Sequence, residues 1–138
     1  MTPAKPLELI EARSLISRLT TASFLVDSEG TLLYFNEPAA ELLGISFEEA
    51  GAMKAGTWAS SFDPRGPDGR ELPADDLPLA IALNEGRPHF ARMSITAADG
   101  GTHDIEVTAL PIVAGSVQHG ALAIFWSVAE EEDESRAR

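Results

Sequence analysis

The chain has 138 residues, of which 44% are hydrophobic and 23% charged, so it is long and apolar enough for one folded domain with a sizeable core. Its 22 acidic residues outnumber its 10 lysines and arginines and give a formal net charge of −12. This charge argues against binding to nucleic acid or to an anionic membrane surface. The sequence contains no cysteine, which excludes disulfides, thiolate metal sites and a cysteine nucleophile.

The first residues predict neither a secretory signal nor a membrane anchor. MTPAKPLELIEAR contains acidic residues and no continuous apolar stretch. No apolar run in the sequence approaches the ~18 residues that a membrane-spanning helix needs. We therefore expect a cytoplasmic protein that does not associate with membranes.

The N-terminal part of the sequence predicts a helix followed by a hairpin. Apolar residues at Leu9, Ala12, Ile16 and Leu19 recur with helical spacing and predict an amphipathic helix over about residues 7–20. We treat residues 1–20 as a segment that precedes the main domain. Two short apolar runs, at 24–26 and 31–35, flank a polar turn at 27–30 and predict a β-hairpin.

The central part predicts short helices with recognisable ends. Asn36 before Pro38 is typical of a helix start, and Gly44 of a helix stop. The run SFEE at 46–49 fits a capping box that begins a second short helix. Residues 54–74 contain several glycines and prolines and predict a loop with one turn around Trp58.

A further helix is predicted after this loop. Asp75 and Asp76 are expected to cap it and to favour its positive end, with Pro78 in its first turn. Leu79, Leu83 and Ala82 are expected to face the core. Two neighbouring carboxylates could also suggest acid–base catalysis, but their place at a helix start favours the capping role.

Three strands are predicted at 88–97, 102–112 and 120–128, and the first two are joined by an Asp-Gly-Gly turn at 99–101. The order of helix, two strands, helical block and three strands indicates an α+β fold with an antiparallel sheet. Residues 129–138 contain EEEDE and predict a disordered acidic tail.

Five stretches in this order resemble a PAS domain, a small sensory module of signalling proteins. They are FLVDSEGTLLYFNEPAAELLG, SFEEAGAM, PDGRELPADDLPLAIALNEGRP, DGGTHDIEVTALPI and GALAIFWSV. The resemblance covers roughly residues 20–128 and suggests a PAS-like domain at 21–128. It implies a five-stranded antiparallel sheet of order 2-1-5-4-3, with short helices over one face and a ligand pocket between the two layers.

The resemblance also implies a function and a site. We expect a sensory or protein-interaction module, not an enzyme, that binds a small apolar ligand or a protein partner in signal transduction. The alternative is a small-molecule carrier or an enzyme accessory domain of similar fold. The expected pocket residues are Phe35, Asn36, Leu43, Trp58, Leu79, Leu83, Met93, Ile95, Ile105, Val107 and Ile124. Asn36 has two interpretations, a helix cap or a polar group at the pocket mouth.

The cofactor stays unknown from the sequence. The helix after residue 75 contains no histidine that could hold haem as in haem-binding relatives, and a cysteinyl-flavin adduct is excluded without cysteine. A flavin bound non-covalently is left open, and a colourless apolar pocket is favoured. His89, His103 and His119 are expected at strand ends too far apart for a metal site. The sequence also lacks a phosphate-binding loop and a recognisable nucleophile.

The last strand predicts how the sheet is covered. Both of its faces are apolar or small, so both should be covered, one by the pocket helices and the other by the helix at 7–20. That helix can come from the same chain or from a partner. We expect a homodimer through the N-terminal helix and the outer sheet face, with a separate signalling protein as a possible further partner.

Overall fold

The computed structural model describes residues 7–128. Residues 1–6 and the predicted acidic tail at 129–138 lie outside the described residues. The helices are α1 (Leu7–Ile16), α2 (Glu37–Leu43), α3 (Phe47–Ala50), α4 (Ala55–Ser61) and α5 (Pro78–Glu85), with a 3-10 turn at Ala74–Asp76. The strands are β1 (Ala22–Asp27), β2 (Leu32–Phe35), β3 (His89–Thr96), β4 (Thr102–Ala114) and β5 (Val117–Ser127).

The five strands form one antiparallel sheet of order β2-β1-β5-β4-β3, which confirms the predicted fold class. The turn between β3 and β4 places Gly100 at φ 90°, as the Asp-Gly-Gly sequence predicted. β4 and β5 pair up to Ala114 and Val117, closed by Gly115 at φ 64°. Both strands are therefore longer at this end than predicted, because the tight turn lets the ladder continue to its tip.

The outer face of the sheet is covered by the chain's own N-terminal helix. Leu9 and Ile16 of α1 are buried against Leu25 of β1, and Leu122 of β5 packs at the same place. The predicted apolar stripe is confirmed, but the helix ends at Ile16 and not at residue 20. Within the segment predicted to precede the domain, α1 is thus packed on the sheet of its own chain.

The start of α5 differs from the prediction. Asp75 and Asp76 lie in the separate 3-10 turn, and the N-cap of α5 is Leu77, with no side-chain cap. Pro78 is the first residue of α5, and a residue before proline is held extended, as Leu77 is at φ −72° and ψ 146°. The two aspartates therefore do not cap α5.

Gly120 of β5 lies where α1, β1 and β5 meet. A Cβ atom built on it would be 2.2 Å from the Val26 carbonyl oxygen and 3.1 Å from Leu9 Cδ2. The first of these contacts is with backbone that is paired in the sheet, so it cannot be relieved by a rotamer change. Only glycine fits this position.

We expect Gly120→Ala to lower the free energy of unfolding by about 2–3 kcal/mol, because the methyl group forces β1 and β5 apart. Urea denaturation followed by circular dichroism measures this. Gly101→Ala is the matched control: its nearest contact is the exposed Asp99 side chain, at 3.2 Å, which can move. Equal losses in the two variants would contradict the steric argument.

Candidate ligand-binding site

A cavity of about 60 Å³ lies between the inner face of the sheet and the helical layer. We call it the core cavity. Its wall is Phe24, Leu43, Trp58, Phe62, Pro64, Leu77, Pro78, Leu79, Met93, Ile95, Ile105, Val107, Ala123 and Phe125. All of these residues are buried and none is charged, so the cavity offers shape and dispersion contacts and no ionic partner.

Most of the side chains predicted for the pocket line this cavity. They are Leu43, Trp58, Leu79, Met93, Ile95, Ile105 and Val107. Phe35 is buried beside the cavity, with its ring centroid 5.5 Å from that of Phe24. Leu83 lies elsewhere, in the wall of a neighbouring pocket.

Ile124 lies on the opposite face of β5 from the one predicted. Its neighbours Ala123 and Phe125 line the cavity, and side chains alternate between the faces of a strand. The sequence could not decide the facing, because every outward residue from Leu122 to Trp126 is as apolar as its inward neighbour. Ala123 and Phe125 take the place assigned to Ile124.

Several cavity residues were missed by the sequence analysis. Phe24 and Phe125 face each other across β1 and β5, with ring centroids 5.3 Å apart at 90°. Phe62 and Pro64 come from the loop after α4, and Leu77 and Pro78 from the α5 entrance. Alternation along β1 could have found Phe24, but no local pattern indicates that the loop residues reach the core.

Asn36 is buried but does not line the core cavity. Its Oδ1 accepts hydrogen bonds from the backbone N–H groups of Ser23 (3.0 Å) and Ala39 (3.1 Å). Its Nδ2 donates to the carbonyl oxygens of Ile16 (2.9 Å) and Thr21 (2.8 Å). The bond from Ala39 N–H caps α2, so the cap interpretation is confirmed, and the others join α1 and β1 to this point.

The loop after α4 is hydrogen-bonded to β3, an edge strand of the sheet. Arg65 exchanges two backbone hydrogen bonds with Ser94, of 2.9 and 2.8 Å. Its guanidinium lies 3.1 Å from the Asp63 carboxylate and 3.6 Å from that of Glu71. The hydrogen bond and the charge of Asp63 raise the pKa of Arg65, with Glu71 adding to the effect. These contacts hold Phe62 and Pro64 against the cavity.

Trp58 is held at the centre of the helical layer. Its Nε1–H donates to the Gly30 carbonyl oxygen at 3.0 Å, and its ring meets Phe24 edge-on, with centroids 6.1 Å apart. α4, which carries Trp58, is only 7 residues long and has no side-chain N-cap. The indole is therefore positioned mainly by its contact with the β1–β2 turn and the core.

The histidines do not converge in the described part of the chain. His89 pairs with Ala109 and His103 with Ile95 across the β3–β4 ladder, and His119 lies 3.5 Å from Glu8 of α1. Between residues 7 and 128, no three acidic or histidine side chains form a group that could hold a metal ion. The search for membrane spans over the same residues found no helix long and apolar enough to cross a bilayer.

Comparisons with known proteins agree on the fold. The PAS domain of an HTR-like protein from Haloarcula marismortui superposes with a TM-score of 0.59 at 19% identity, covering 86% of this chain and 89% of that one. The PAS domain of Bordetella pertussis BvgS gives 0.57 at 14%, covering 95% and 99%. A Rhodobacter sphaeroides LOV protein gives 0.68 at 19%, covering 89% and 68%.

These similarities show that the chain has the PAS fold, as the sequence resemblance predicted. No protein-family model matches the sequence, and no curated protein matches it. The identities are low, so the fold is what the solved structures share with this chain.

We expect Asn36→Ala to lower the free energy of unfolding by about 3 kcal/mol, because it removes a helix cap and three further hydrogen bonds to backbone groups of α1, β1 and the connection between them. Ser46→Ala is the matched control. Ser46 caps α3 through one bond from Glu49 N–H at an exposed site, and its loss should cost about 1 kcal/mol. Chemical denaturation compares the two, and similar costs would show that Asn36 acts as a cap alone.

Proposed function

We propose that the chain is a sensory module that binds a small apolar ligand in the core cavity and passes the change to a partner in signal transduction. The supporting observation is the apolar cavity between the sheet and the helices. No side chain that the described residues contribute to its wall could act as an acid, a base or a nucleophile, which supports a binding role over catalysis. The cytoplasmic location and the colourless pocket remain part of this proposal.

β1 offers a route by which a ligand could affect the outer face. Phe24 of β1 lines the core cavity, while the next residue, Leu25, packs on Leu9 and Ile16 of α1. A ligand that displaces Phe24 therefore moves the strand on which α1 rests. Asn36 bonds both to Ser23 of β1 and to the last turn of α1, so the two elements are expected to move together.

We expect dissolved xenon to bind the core cavity, since apolar cavities in proteins take up xenon. In NMR spectra of the full chain, the Met93 methyl resonance should shift on binding, and the amide resonances of Leu9 and Ile16 should shift with it. A Met93 shift without any change in α1 would favour the alternative of a carrier domain, because the site would be occupied without a response outside.

Two substitutions on β5 provide the controls. Ala123→Leu fills the cavity from its wall and should abolish both shifts, whereas Ile124→Leu changes the opposite face and should leave both intact. A dispersed spectrum for each variant shows that it is folded. If Met93 does not respond to xenon in the unmodified chain, the core cavity is not a ligand site.

We also propose that two copies associate through the N-terminal helix and the outer sheet face. Leu9 and Ile16 are already buried against the sheet of their own chain. A contact between two copies must therefore be made by the apolar side chains that remain exposed on α1 and on the sheet. Leu7, Ile10 and Leu15 of α1 are 63, 53 and 57% exposed. Phe90 and Trp126, 53 and 39% exposed, lie on the part of the same face that α1 leaves open.

A second copy fits this surface because helix and open sheet lie side by side on one face. A two-fold axis can place the helix of each copy against the sheet of the other and cover both sets in a closed assembly. An exposed apolar area of this kind is unusual on a monomer.

We expect light scattering at micromolar concentration to show a dimer. Ile10→Glu on the helix and Phe90→Glu on the sheet should each shift the equilibrium to monomer by burying an unpaired charge. Val117→Glu, at the β4–β5 turn and 55% exposed, should not. The interface would be refuted if the unsubstituted chain is monomeric. It would also be refuted if the Ile10→Glu and Phe90→Glu variants both remain dimeric. Deleting residues 1–20 is a poorer test, because it removes Ile16 from the core.

A further inference from the structure

A second pocket, of about 160 Å³, adjoins the core cavity. We call it the side pocket. It lies between the β1–β2 turn and α5, and is lined by Val26, Ser28, Glu29, Gly30, Trp58, Ala74, Asp75, Leu77, Leu79, Ala80, Leu83 and Asn84. Trp58, Leu77 and Leu79 line both spaces, so these three side chains form the wall between them.

The two spaces differ in their access to water. Every residue that lines the core cavity is buried, whereas Glu29, Asp75 and Asn84 of the side pocket are exposed. A molecule in the side pocket therefore has solvent on one side and the shared wall on the other. A ligand in the side pocket could therefore enter the core cavity if one of the three side chains that separate the two spaces moved aside.

Trp58 is the part of the wall that would have to move. Its Nε1–H, the one donor of an indole, is bonded to the Gly30 carbonyl, so a shift of the ring must break this bond, while α4, which carries the ring, has 7 residues and no side-chain N-cap. The core cavity alone is smaller than the ~150 Å³ cavity that holds benzene in another protein. Joined to the side pocket by a shift of the indole, it would accept a chain of several carbons.

The lining of the joined space suits an amphiphilic ligand. Its inner end is wholly apolar, and its outer end carries the carboxylates of Glu29 and Asp75 with the polar groups of Ser28 and Asn84. Among residues 7–128, no lysine, arginine or histidine lines either space. The potential at the outer end therefore favours a cation, and an indole ring in the wall is a further partner for one.

We propose that the core cavity and the side pocket are one binding site, divided by Trp58, for an amine with a short apolar tail. The proposal rests on the function proposed above and adds to it the class of ligand. The tail lies in the core cavity, the ammonium group lies near Glu29 and Asp75, and Trp58 moves when the site is filled.

The test compares three probes with the same tail and different heads: n-hexylamine, n-hexanol and n-hexanoate, at neutral pH. Trp126→Phe leaves Trp58 as the only indole for fluorescence and NMR. We expect saturable binding in which n-hexylamine is tightest and n-hexanoate weakest, with shifts of both the Met93 methyl and the Trp58 indole N–H resonances. Ala123→Leu should weaken all three, because it occupies the space of the tail.

Neutralising the outer end tests the role of charge. Glu29→Gln with Asp75→Asn should lower the affinity for n-hexylamine about threefold to tenfold and leave that for n-hexanol unchanged. Glu11→Gln with Glu48→Gln, at exposed positions outside both spaces, removes the same charge and should change neither.

The ligand class and the joined site can be refuted separately. Equal affinities for n-hexylamine and n-hexanoate, or no effect of the Glu29 and Asp75 changes, would refute the ligand class. Failure of all three probes to shift Met93 would refute the joined site. In either case the xenon experiment decides separately whether the core cavity, and with it the proposed function, stands.

Discussion

A single buried amide joins the two layers of the molecule. Asn36 is 0% exposed, and its side chain uses both the oxygen and the nitrogen, twice each, to bind backbone groups of α1, the α1–β1 connection, β1 and α2. Aspartate could accept but not donate, and serine is too short to reach all four groups. An apolar residue would remove one hydrogen bond from each of these groups, which is costly at a buried site, and the Ile16 and Thr21 carbonyls would keep only their bonds from Leu19 N–H and Ser23 Oγ. The position of α1 on the sheet thus follows from Asn36 together with the packing of Leu9 and Ile16 on Leu25.

β1 separates two hydrophobic clusters and contributes side chains to both. Its alternate side chains pack into two separate cores, Phe24 and Val26 on the helical side and Leu25 on the α1 side. Close-packed interiors transmit small displacements because they contain little free space to absorb them. A change in the core cavity therefore reaches α1 through one strand, and the Asn36 bonds oppose any independent motion of the two. The exposed side of α1, one part of the surface proposed to meet a second copy, lies over this strand.

The sequence was most informative where local chemistry determines local structure. Asn36 with Pro38, Ser46 with Glu49, and the Asp-Gly-Gly turn each specify a helix start or a hairpin from neighbouring residues alone. It was least informative where the outcome depends on distant contacts. The facing of β5 could not be predicted because both faces are apolar. Phe62 and Pro64 lie in a loop that is bonded to β3 through Arg65 with Ser94 and through the Phe62 carbonyl with Thr96, contacts that no local pattern indicates.

The core cavity also has an energetic consequence. At about 24 cal/mol per Å³ of void, a space of about 60 Å³ costs the fold roughly 1–2 kcal/mol. The side chains around it are already large and buried, so the void is not a deficiency of apolar residues. Phe24 meets both Phe125 and Trp58 edge-on, which is a preferred arrangement of aromatic pairs. A ligand that fills the space recovers this free energy, so it can stabilise the fold while it changes the packing of Phe24.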